Sequence, residues 1–163
     1  MKATLPAIKD YHPESKVWIY ASTKELNQHQ KEIIQHSLNE FTKTWTAHDV
    51  SLRASGWIEY DRFIVLCVDE SKTGASGCSI DKSVHFIHEL ENEHGLSLFD
   101  RLNVYYFENG RIEKIHFTDL QNPDQNVIKP ETLIIDTSVS LFGVYKNDFV
   151  KKASKSWVSK YLR

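Results

Sequence analysis

Apolar positions recur at helical spacing in two stretches of this 163-residue chain. The first stretch follows Ser22 and Thr23, either of which can cap a helix, and continues to about Thr44. The second includes Ile80 as its first apolar position and stops near Gly95. Each stripe predicts an amphipathic helix with one buried face. The stripes are Leu26, Ile33, Ile34, Leu38, Phe41 and Trp45, and then Ile80, Val84, Ile87 and Leu90.

Four shorter stretches have the apolar patterns of β-strands. Residues 17–20 and 63–68 are apolar on both faces, which is typical of strands in the middle of a sheet. Residues 50–60 alternate apolar and polar positions, as a half-buried strand does, and residues 102–107 form a fourth strand. Asn109-Gly110 then favours a tight hairpin turn into residues 111–117, because both residues tolerate positive φ angles.

This order of elements predicts an α+β fold of the ferredoxin-like type. The pattern is β-α-β-β-α-β (split βαβ) with an added hairpin strand and a C-terminal helical segment. We expect a single domain over residues 1–163, with its core in 16–117 and a C-terminal extension in 118–163. Right-handed crossovers would bring the loops at 45–49 and 69–81 to the same end of the sheet.

Charge and cysteine content narrow the class of protein. A formal net charge of −2 argues against binding to nucleic acid through bulk electrostatics. No apolar run is long enough to cross a bilayer, and residues 1–10 lack the apolar stretch of a signal peptide. Only two cysteines are present, which argues against a disulfide framework. We therefore expect a cytoplasmic monomer or small homo-oligomer that binds neither nucleic acid nor membranes.

The polar loop 69–81 is the main candidate for chemistry. Its glycines and small side chains let backbone N–H groups converge, and the following helix offers unpaired N–H groups and a positive dipole end. These features favour an anion, although no GxxxxGK[ST] phosphate-binding loop is present. We predict a site for a small anionic ligand or a protein partner, formed by Trp45, Glu70, Ser76, Gly77, Ser79 and Asp81.

A purely structural interpretation of the same loop stays open. Cys78 or Ser79 would then cap the helix, and Asp81 would complement the helix dipole.

Cys78 also allows a catalytic interpretation. A thiol at a helix N-terminus ionises more readily, so Cys78 is a candidate nucleophile. His48 would be its general base, and Asp69 or Asp81 would orient the histidine. Cys67 lies within an apolar strand and is expected to be buried and inert. A thiol-dependent enzyme is therefore the alternative to a binding module.

The sequence offers little for a metal site and more for an interface. No set of Cys, His and carboxylate residues has the spacing of a metal site, and the sequence predicts no cofactor. An open sheet face could mediate self-association through the rings of Trp18, Tyr20, Trp57 and Tyr105. The more ordinary interpretation is that aromatic residues of the C-terminal segment cover that face. Those residues are Phe142, Tyr145, Phe149 and Trp157.

Five segments of the chain form a distinctive set. They are Val17-Trp18-Ile19-Tyr20, Trp45-x-Ala47-His48, Phe63-Ile64-x-Leu66-x-Val68-Asp69-Glu70, Ala75-Ser76-Gly77-Cys78-Ser79-Ile80-Asp81-x-Ser83-Val84 and Ser156-Trp157. Together they resemble a small bacterial family whose members are commonly labelled "ABC transporter ATPase" or left uncharacterised. The resemblance covers nearly the whole chain from Val17. The chain departs from the family pattern at Asp49, where a glycine usually follows the histidine, and over residues 138–155.

The family label alone would imply an ATPase. An ATPase of the ABC class needs a phosphate-binding loop with its lysine, a Walker B acid and an LSGGQ signature. The chain contains none of these motifs. ABC-type ATPase activity is therefore not expected.

Overall fold

A computed structural model describes residues 11–71 and 73–162. Residues 1–10, Lys72 and Arg163, which the predictions also include, lie outside them. The described chain gathers into two compact units. The first unit contains the described residues up to Phe99 together with Val139–Tyr145, and the second contains the rest. Helices and sheets are both present, which confirms the α+β class. The single-domain organisation stays a prediction.

The first unit is built on a three-stranded antiparallel sheet. Its strands are β1 (Lys16–Ala21), β4 (Arg53–Glu59) and β5 (Phe63–Asp69), in the order β1-β5-β4. All residues of β5 are buried, as expected for a central strand. A small ribbon of β2 (Thr46–Ala47) and β3 (Val50–Ser51) precedes β4.

The first helix, α1 (Gln28–Thr44), starts later than the sequence predicted. The Asn27 side chain accepts a hydrogen bond from the Gln30 backbone, and the Gln30 side chain accepts one from the Asn27 backbone. This capping box satisfies two donors that the helix itself leaves unpaired. The prediction of Ser22 or Thr23 as the cap was wrong, because the Ser22 hydroxyl accepts from the Lys24 backbone in a turn ahead of the helix.

The second helix, α2 (Gly77–His94), ends as predicted at Gly95. Gly95 has φ +61° and donates its N–H to Glu91, which is the left-handed cap that glycine favours. Among the described helices, none is long and apolar enough to cross a membrane.

Both helices pack on one face of the three-stranded sheet. Ile34 and Leu38 of α1 share a buried cluster with Ile87 of α2 and with sheet residues that include Leu66. Gly56 lets α1 come close to β4, because a Cβ at that position would lie 3.0 Å from the Leu38 side chain. Ile33, which the apolar stripe placed on the buried face, is 39% exposed.

The opposite face of this sheet is covered by aromatic residues of the same unit. The Trp57 indole donates a 3.0 Å hydrogen bond to the Tyr145 hydroxyl, which in turn donates to Glu59 at 2.6 Å. Burial and the nearby Glu59 carboxylate raise the pKa of Tyr145. Tyr11 packs near Phe142, with 6.0 Å between ring centroids. Tyr145 of the predicted cover therefore lies against the face that carries Trp57, whereas the prediction placed the cover on the face of Trp18 and Tyr20.

Trp57 does not share a face with the aromatic residues of β1. In the strand register Trp57 pairs through Val65 with Ile19, and side chains alternate along a strand. Trp18 and Tyr20 consequently lie on the helix-covered face, where both pack against the core. The predicted ring set is thus split between the two faces.

The ferredoxin-like topology is not confirmed. The first three predicted strands pair in the expected order, but the fourth, β6 (Asn103–Glu108), belongs to another sheet. The outer edge of β1 instead pairs with the chain at residues 140–141. Val17 donates its N–H to Ser140, and Lys16 forms a β-bridge with Leu141. Each strand edge accepts one neighbour, so this segment occupies the position that the ferredoxin-like fold gives to a strand.

The second unit has a four-stranded antiparallel sheet with β6 inside it. β7 (Arg111–His116), β8 (Leu133–Ile135) and β9 (Val150–Lys152) complete the order β7-β6-β8-β9. The β6–β7 turn has φ 51° at Asn109 and 75° at Gly110, so the predicted hairpin is confirmed.

Short helices complete the described chain. They are α3 (Phe117–Gln121), α4 (Phe142–Asp148) and two 3-10 helices, Ala153–Lys155 and Trp157–Tyr161. Ala153 and Val158 of the 3-10 helices are buried with Ile134 of β8 in the core of the second unit. The aromatic residues Tyr105, Phe149 and Trp157 belong to this unit.

Candidate functional site

The start of α2 is fixed by a serine pair rather than by Cys78. Ser76 is the N-cap, and its hydroxyl accepts a hydrogen bond from the Ser79 backbone at 3.1 Å. The Ser79 hydroxyl accepts from the Ser76 backbone at 2.7 Å and donates to the Ser76 carbonyl. This reciprocal pairing is a capping box. The proposed cap by Cys78 or Ser79 was therefore wrong, and both serine side chains serve the helix start.

Trp45 joins the two loops that the sequence placed together. It is 2% exposed, and its indole nitrogen donates a 2.8 Å hydrogen bond to the main-chain oxygen of Ser79. Its ring packs against Trp18 and Phe41, with centroids 6.0 and 5.1 Å away. Trp45 is thus a buried anchor between the end of α1 and the start of α2.

Three predicted site residues lie on the surface of α2. Gly77, Cys78 and Asp81 are all exposed. A Cβ at Gly77 would meet nothing within 4 Å, so space does not require glycine there. Asp81 lies beyond the first helical turn, which contains no acidic residue, so it does not complement the dipole as a first-turn carboxylate would.

His48 occupies a tight turn between β2 and β3. His48 has φ 50° and Asp49 has φ 62°, so both central residues of this hairpin adopt the left-handed region. Both side chains are exposed. Within residues 11–71 and 73–162, no side-chain hydrogen bond or ion pair joins any two of His48, Cys78 and Asp69.

Asp69 is the predicted site residue that has both a backbone hydrogen-bond donor and an oppositely charged partner. Its carboxylate is 5% exposed, accepts the Ser71 N–H at 2.9 Å and pairs with the Arg53 guanidinium at 3.1 Å. The hydrogen bond from the Ser71 backbone and the charge of Arg53 hold the pKa of Asp69 below its usual value. Asp69 is therefore a buried, ionised carboxylate at the end of β5.

Asp69 and Trp45 project from opposite faces of the sheet. Val68 belongs to the buried cluster of Trp45, and side chains alternate along a strand. Asp69 consequently shares the face of Cys67, opposite the start of α2. Its neighbour Glu70 instead closes the loop, because its Oε1 accepts the Ala75 N–H at 3.2 Å.

A small pocket opens at Asp69. It has a volume of about 160 Å³ and is lined by Ser51, Arg53, Asp69, Ser71 and Thr73. The lining combines one cation, one carboxylate and three hydroxyl groups. Tyr11 supports it from the side, because the Arg53 guanidinium lies 5.1 Å from the centre of the Tyr11 ring.

Of these five pocket residues, Asp69 was a predicted site residue. Arg53 and Ser51 occupy polar positions of the alternating strand, but the register that sets Arg53 opposite Asp69 depends on how the strands pair. Ser71 and Thr73 lie in the predicted loop without a pattern of their own. The alternation of apolar and polar positions in this strand was the signal that could have found Ser51 and Arg53, because it placed both on the same polar face.

Neither cysteine forms a disulfide in the described structure. Cys67 is fully buried in β5, which confirms the prediction that it is buried, and burial raises the pKa of its thiol to about 12. Among the described residues, no three His, Cys, Asp or Glu side chains cluster as metal ligands.

Comparisons of the chain with protein-family models, with curated proteins and with solved structures found no match.

Proposed function

We propose that this chain binds a small anionic ligand in the pocket lined by Ser51, Arg53, Asp69, Ser71 and Thr73. The observation that carries the proposal is the Arg53–Asp69 pair, with Nη1 to Oδ2 at 3.1 Å, at a concave polar site. A guanidinium is a planar fork of N–H donors that matches carboxylate and phosphate oxygens. Asp69 holds that fork in one orientation, and serine and threonine hydroxyls supply further donors.

The carboxylate of Asp69 is compatible with an anionic ligand. Its oxygens accept hydrogen bonds from Arg53 and from the Ser71 backbone, so its charge is compensated within the chain. The role we assign to Asp69 is to position Arg53, whose side chain is 56% exposed.

The size of the pocket limits the ligand. Sites for drug-sized molecules usually enclose about 300–1,000 Å³, and this pocket has about 160 Å³. It therefore suits one phosphate, sulfate or small carboxylate group better than a whole nucleotide.

Thermal unfolding with added anions tests the proposal. Inorganic phosphate, sulfate and small carboxylates, compared with chloride at equal ionic strength, should raise the Tm, because a ligand that binds only the folded state stabilises it. Arg53→Gln should abolish the anion-dependent rise. The matched control is Arg111→Gln, an exposed arginine of the second unit, which should keep it.

For each variant, the Tm measured with the anion is compared with the Tm measured in chloride. A lower Tm of Arg53→Gln in chloride therefore does not affect the comparison. If none of these anions raises the Tm of the wild-type chain, or if Arg53→Gln retains the full rise, the pocket is not an anion site.

A thiol-dependent enzyme is a second candidate, supported by the exposure of Cys78 in the first turn of α2. In this proposal Cys78 is the nucleophile and His48 its base, and the two would have to approach during the reaction. Alkylation of Cys78 by iodoacetamide, followed by intact mass across pH, tests it. His48→Ala should move the alkylation midpoint, with His29→Ala on the exposed side of α1 as control. An unchanged midpoint rules His48 out as the base.

Self-association, a cytoplasmic location and family membership stay proposals. Self-association through a sheet face is less well supported, because helices cover one face of the three-stranded sheet and aromatic residues the other. A cytoplasmic location is supported by the low cysteine content. Membership of the bacterial family rests on the sequence pattern around Ser76–Asp81.

A further inference from the structure

The carboxylate of Asp69 is a wall of the proposed anion pocket that accepts hydrogen bonds and donates none. Hydrogen bonds from the backbone and side chain of Ser71, together with the charge of Arg53, hold the pKa of Asp69 below its usual value. The group is therefore ionised at neutral pH. An ionised carboxylate has no proton to donate, so it meets an incoming anion only as an acceptor.

Contacts within the chain leave part of the acceptor capacity of Asp69 unused. Its Oδ1 accepts the Ser71 N–H at 2.9 Å, and its Oδ2 accepts from the Arg53 guanidinium at 3.1 Å. The Ser71 side chain is a third donor. Two carboxylate oxygens offer about four lone-pair positions. About one position therefore stays open on a group that lines the pocket.

This open lone pair, rather than net charge, limits which anion fits beside Asp69. Arg53 balances the charge of the carboxylate. An anion whose oxygens all lack protons brings only further lone pairs to the open position and leaves it without a donor. An anion that keeps one O–H group can instead donate that proton to Asp69. An O–H···O⁻ hydrogen bond is about twice as strong as a bond between neutral groups.

We propose that Asp69 selects oxyanions that carry an O–H group, such as hydrogenphosphate, over fully deprotonated anions such as sulfate. This inference rests on the anion site proposed above. Arg53 donates to the deprotonated oxygens of the ligand, and Asp69 accepts its proton. A phosphate ester has a second pKa of about 6 and carries no O–H group on its phosphate above that pH. At neutral pH the site therefore favours the free inorganic anion over a phosphorylated molecule.

Three anions compared at about pH 8 test the proposal, because hydrogenphosphate, sulfate and methyl phosphate are all mainly dianions there. Of the three, only hydrogenphosphate carries an O–H group. Isothermal titration calorimetry of the wild-type chain at equal ionic strength should give phosphate a Kd at least about tenfold below the other two. Sites that enclose an O–H group reject analogues without it by about 10⁴-fold or more. A smaller ratio is expected here, because the Arg53 side chain is 56% exposed.

Asp69→Asn tests whether Asp69 makes the selection. The asparagine amide can donate to an oxyanion, so sulfate should bind this variant about as tightly as phosphate does. Asp124→Asn, at an exposed position of the second unit, is the matched control and should keep the preference for phosphate. A preference that persists in Asp69→Asn would contradict the proposal, because the greater basicity of phosphate toward Arg53 would then explain it.

Failure of this inference differs from failure of the anion site itself. If sulfate or methyl phosphate binds the wild-type chain as tightly as phosphate does, Asp69 makes no selection, although the pocket still binds anions. If none of the three binds at millimolar concentration, both proposals are wrong. The comparison of phosphate with methyl phosphate needs no variant, so a folding defect in Asp69→Asn does not remove the test.

Discussion

The indole N–H of Trp45 donates a 2.8 Å hydrogen bond to the main-chain oxygen of Ser79, 34 residues further along the chain. This single contact links the end of α1 to the first turn of α2. Both groups are buried, so neither can exchange its partner for water. A buried polar group that loses its partner is more costly than a lost surface contact.

Trp45→Phe should therefore destabilise the fold. The substitution keeps an aromatic ring but removes the donor to Ser79, and we expect a loss of about 1–3 kcal/mol in the free energy of unfolding. Urea denaturation checks it. Trp157→Phe is the matched control, because Trp157 is 42% exposed, and it should change stability much less. Equal effects of the two substitutions would mean that the Trp45 hydrogen bond contributes little.

Asp69 should make stability depend on pH in the acid range. Its pKa is lowered in the folded chain, by the hydrogen bond from Ser71 first and by Arg53 as well. Because the pKa of Asp69 is lower in the folded chain, its carboxylate stabilises the fold fully at pH values above the pKa of an unfolded aspartate, about 3.9. This stabilisation is then lost as the pH falls through the lower folded pKa.

Asp69→Asn measures that contribution. Urea denaturation of both proteins between neutral and strongly acid pH should show the wild type losing stability below about pH 4 more steeply than Asp69→Asn. Parallel curves would show that Asp69 has the same pKa in the folded and unfolded chains. Asp81→Asn, at an exposed helical position, should follow the wild type.

Gly56 and Gly77 should respond in opposite directions to the same substitution. A Cβ at Gly56 would lie 3.0 Å from Leu38 and 3.1 Å from Leu66, so Gly56→Ala should cost about 1–3 kcal/mol through overpacking. A Cβ at Gly77 meets nothing within 4 Å. Gly77→Ala should add about 0.5–1 kcal/mol, because alanine is the better helix former. Thermal and urea unfolding measure both, and a stabilising Gly56→Ala would contradict the close approach of α1.

Asp49→Gly should stabilise the chain by about 0.5–1 kcal/mol. Asp49 has φ 62° at the second central position of a two-residue hairpin turn, where glycine is preferred. Asp81→Gly is the control, because Asp81 lies in helix α2 at a similarly exposed position. It should lose about 1 kcal/mol. Differential scanning calorimetry of the two variants separates the effect of the turn from the general effect of removing a carboxylate.

The main helices and strands and the order β1-β5-β4 followed from the sequence, whereas the neighbour of β1 at its outer edge did not. Periodicity placed α2 and its end at Gly95, and positive φ tolerance placed the turn at Asn109 and Gly110. Whether β6 or residues 140–141 pair with the edge of β1 is decided by long-range packing, which no local pattern encodes. The later part of the chain lacked such patterns, so its return to the first sheet was not foreseen.

In the candidate site, too, local patterns predicted some features, and long-range strand pairing determined the others. The loops around Trp45 and Ser79 do meet, as the order of strands suggested. Arg53 was visible only as one polar position among several, and its pairing with Asp69 depends on register. The N-cap of α2 was predicted two or three residues too late, at Cys78 or Ser79. Serine and cysteine at these neighbouring positions can all cap a helix, so the sequence alone does not single out Ser76. Only the three-dimensional hydrogen bonds distinguish them.

The first unit is discontinuous in the chain, since Val139–Tyr145 returns to it after the strands β6, β7 and β8. During synthesis on the ribosome, Trp57 and Glu59 must therefore wait for Tyr145 to leave the exit tunnel, some 86 residues after Glu59. Until then one face of the three-stranded sheet lacks the part of its aromatic cover that Phe142 and Tyr145 supply. A nascent chain interrupted before Val139 would display that apolar surface to chaperones and to other unfinished chains.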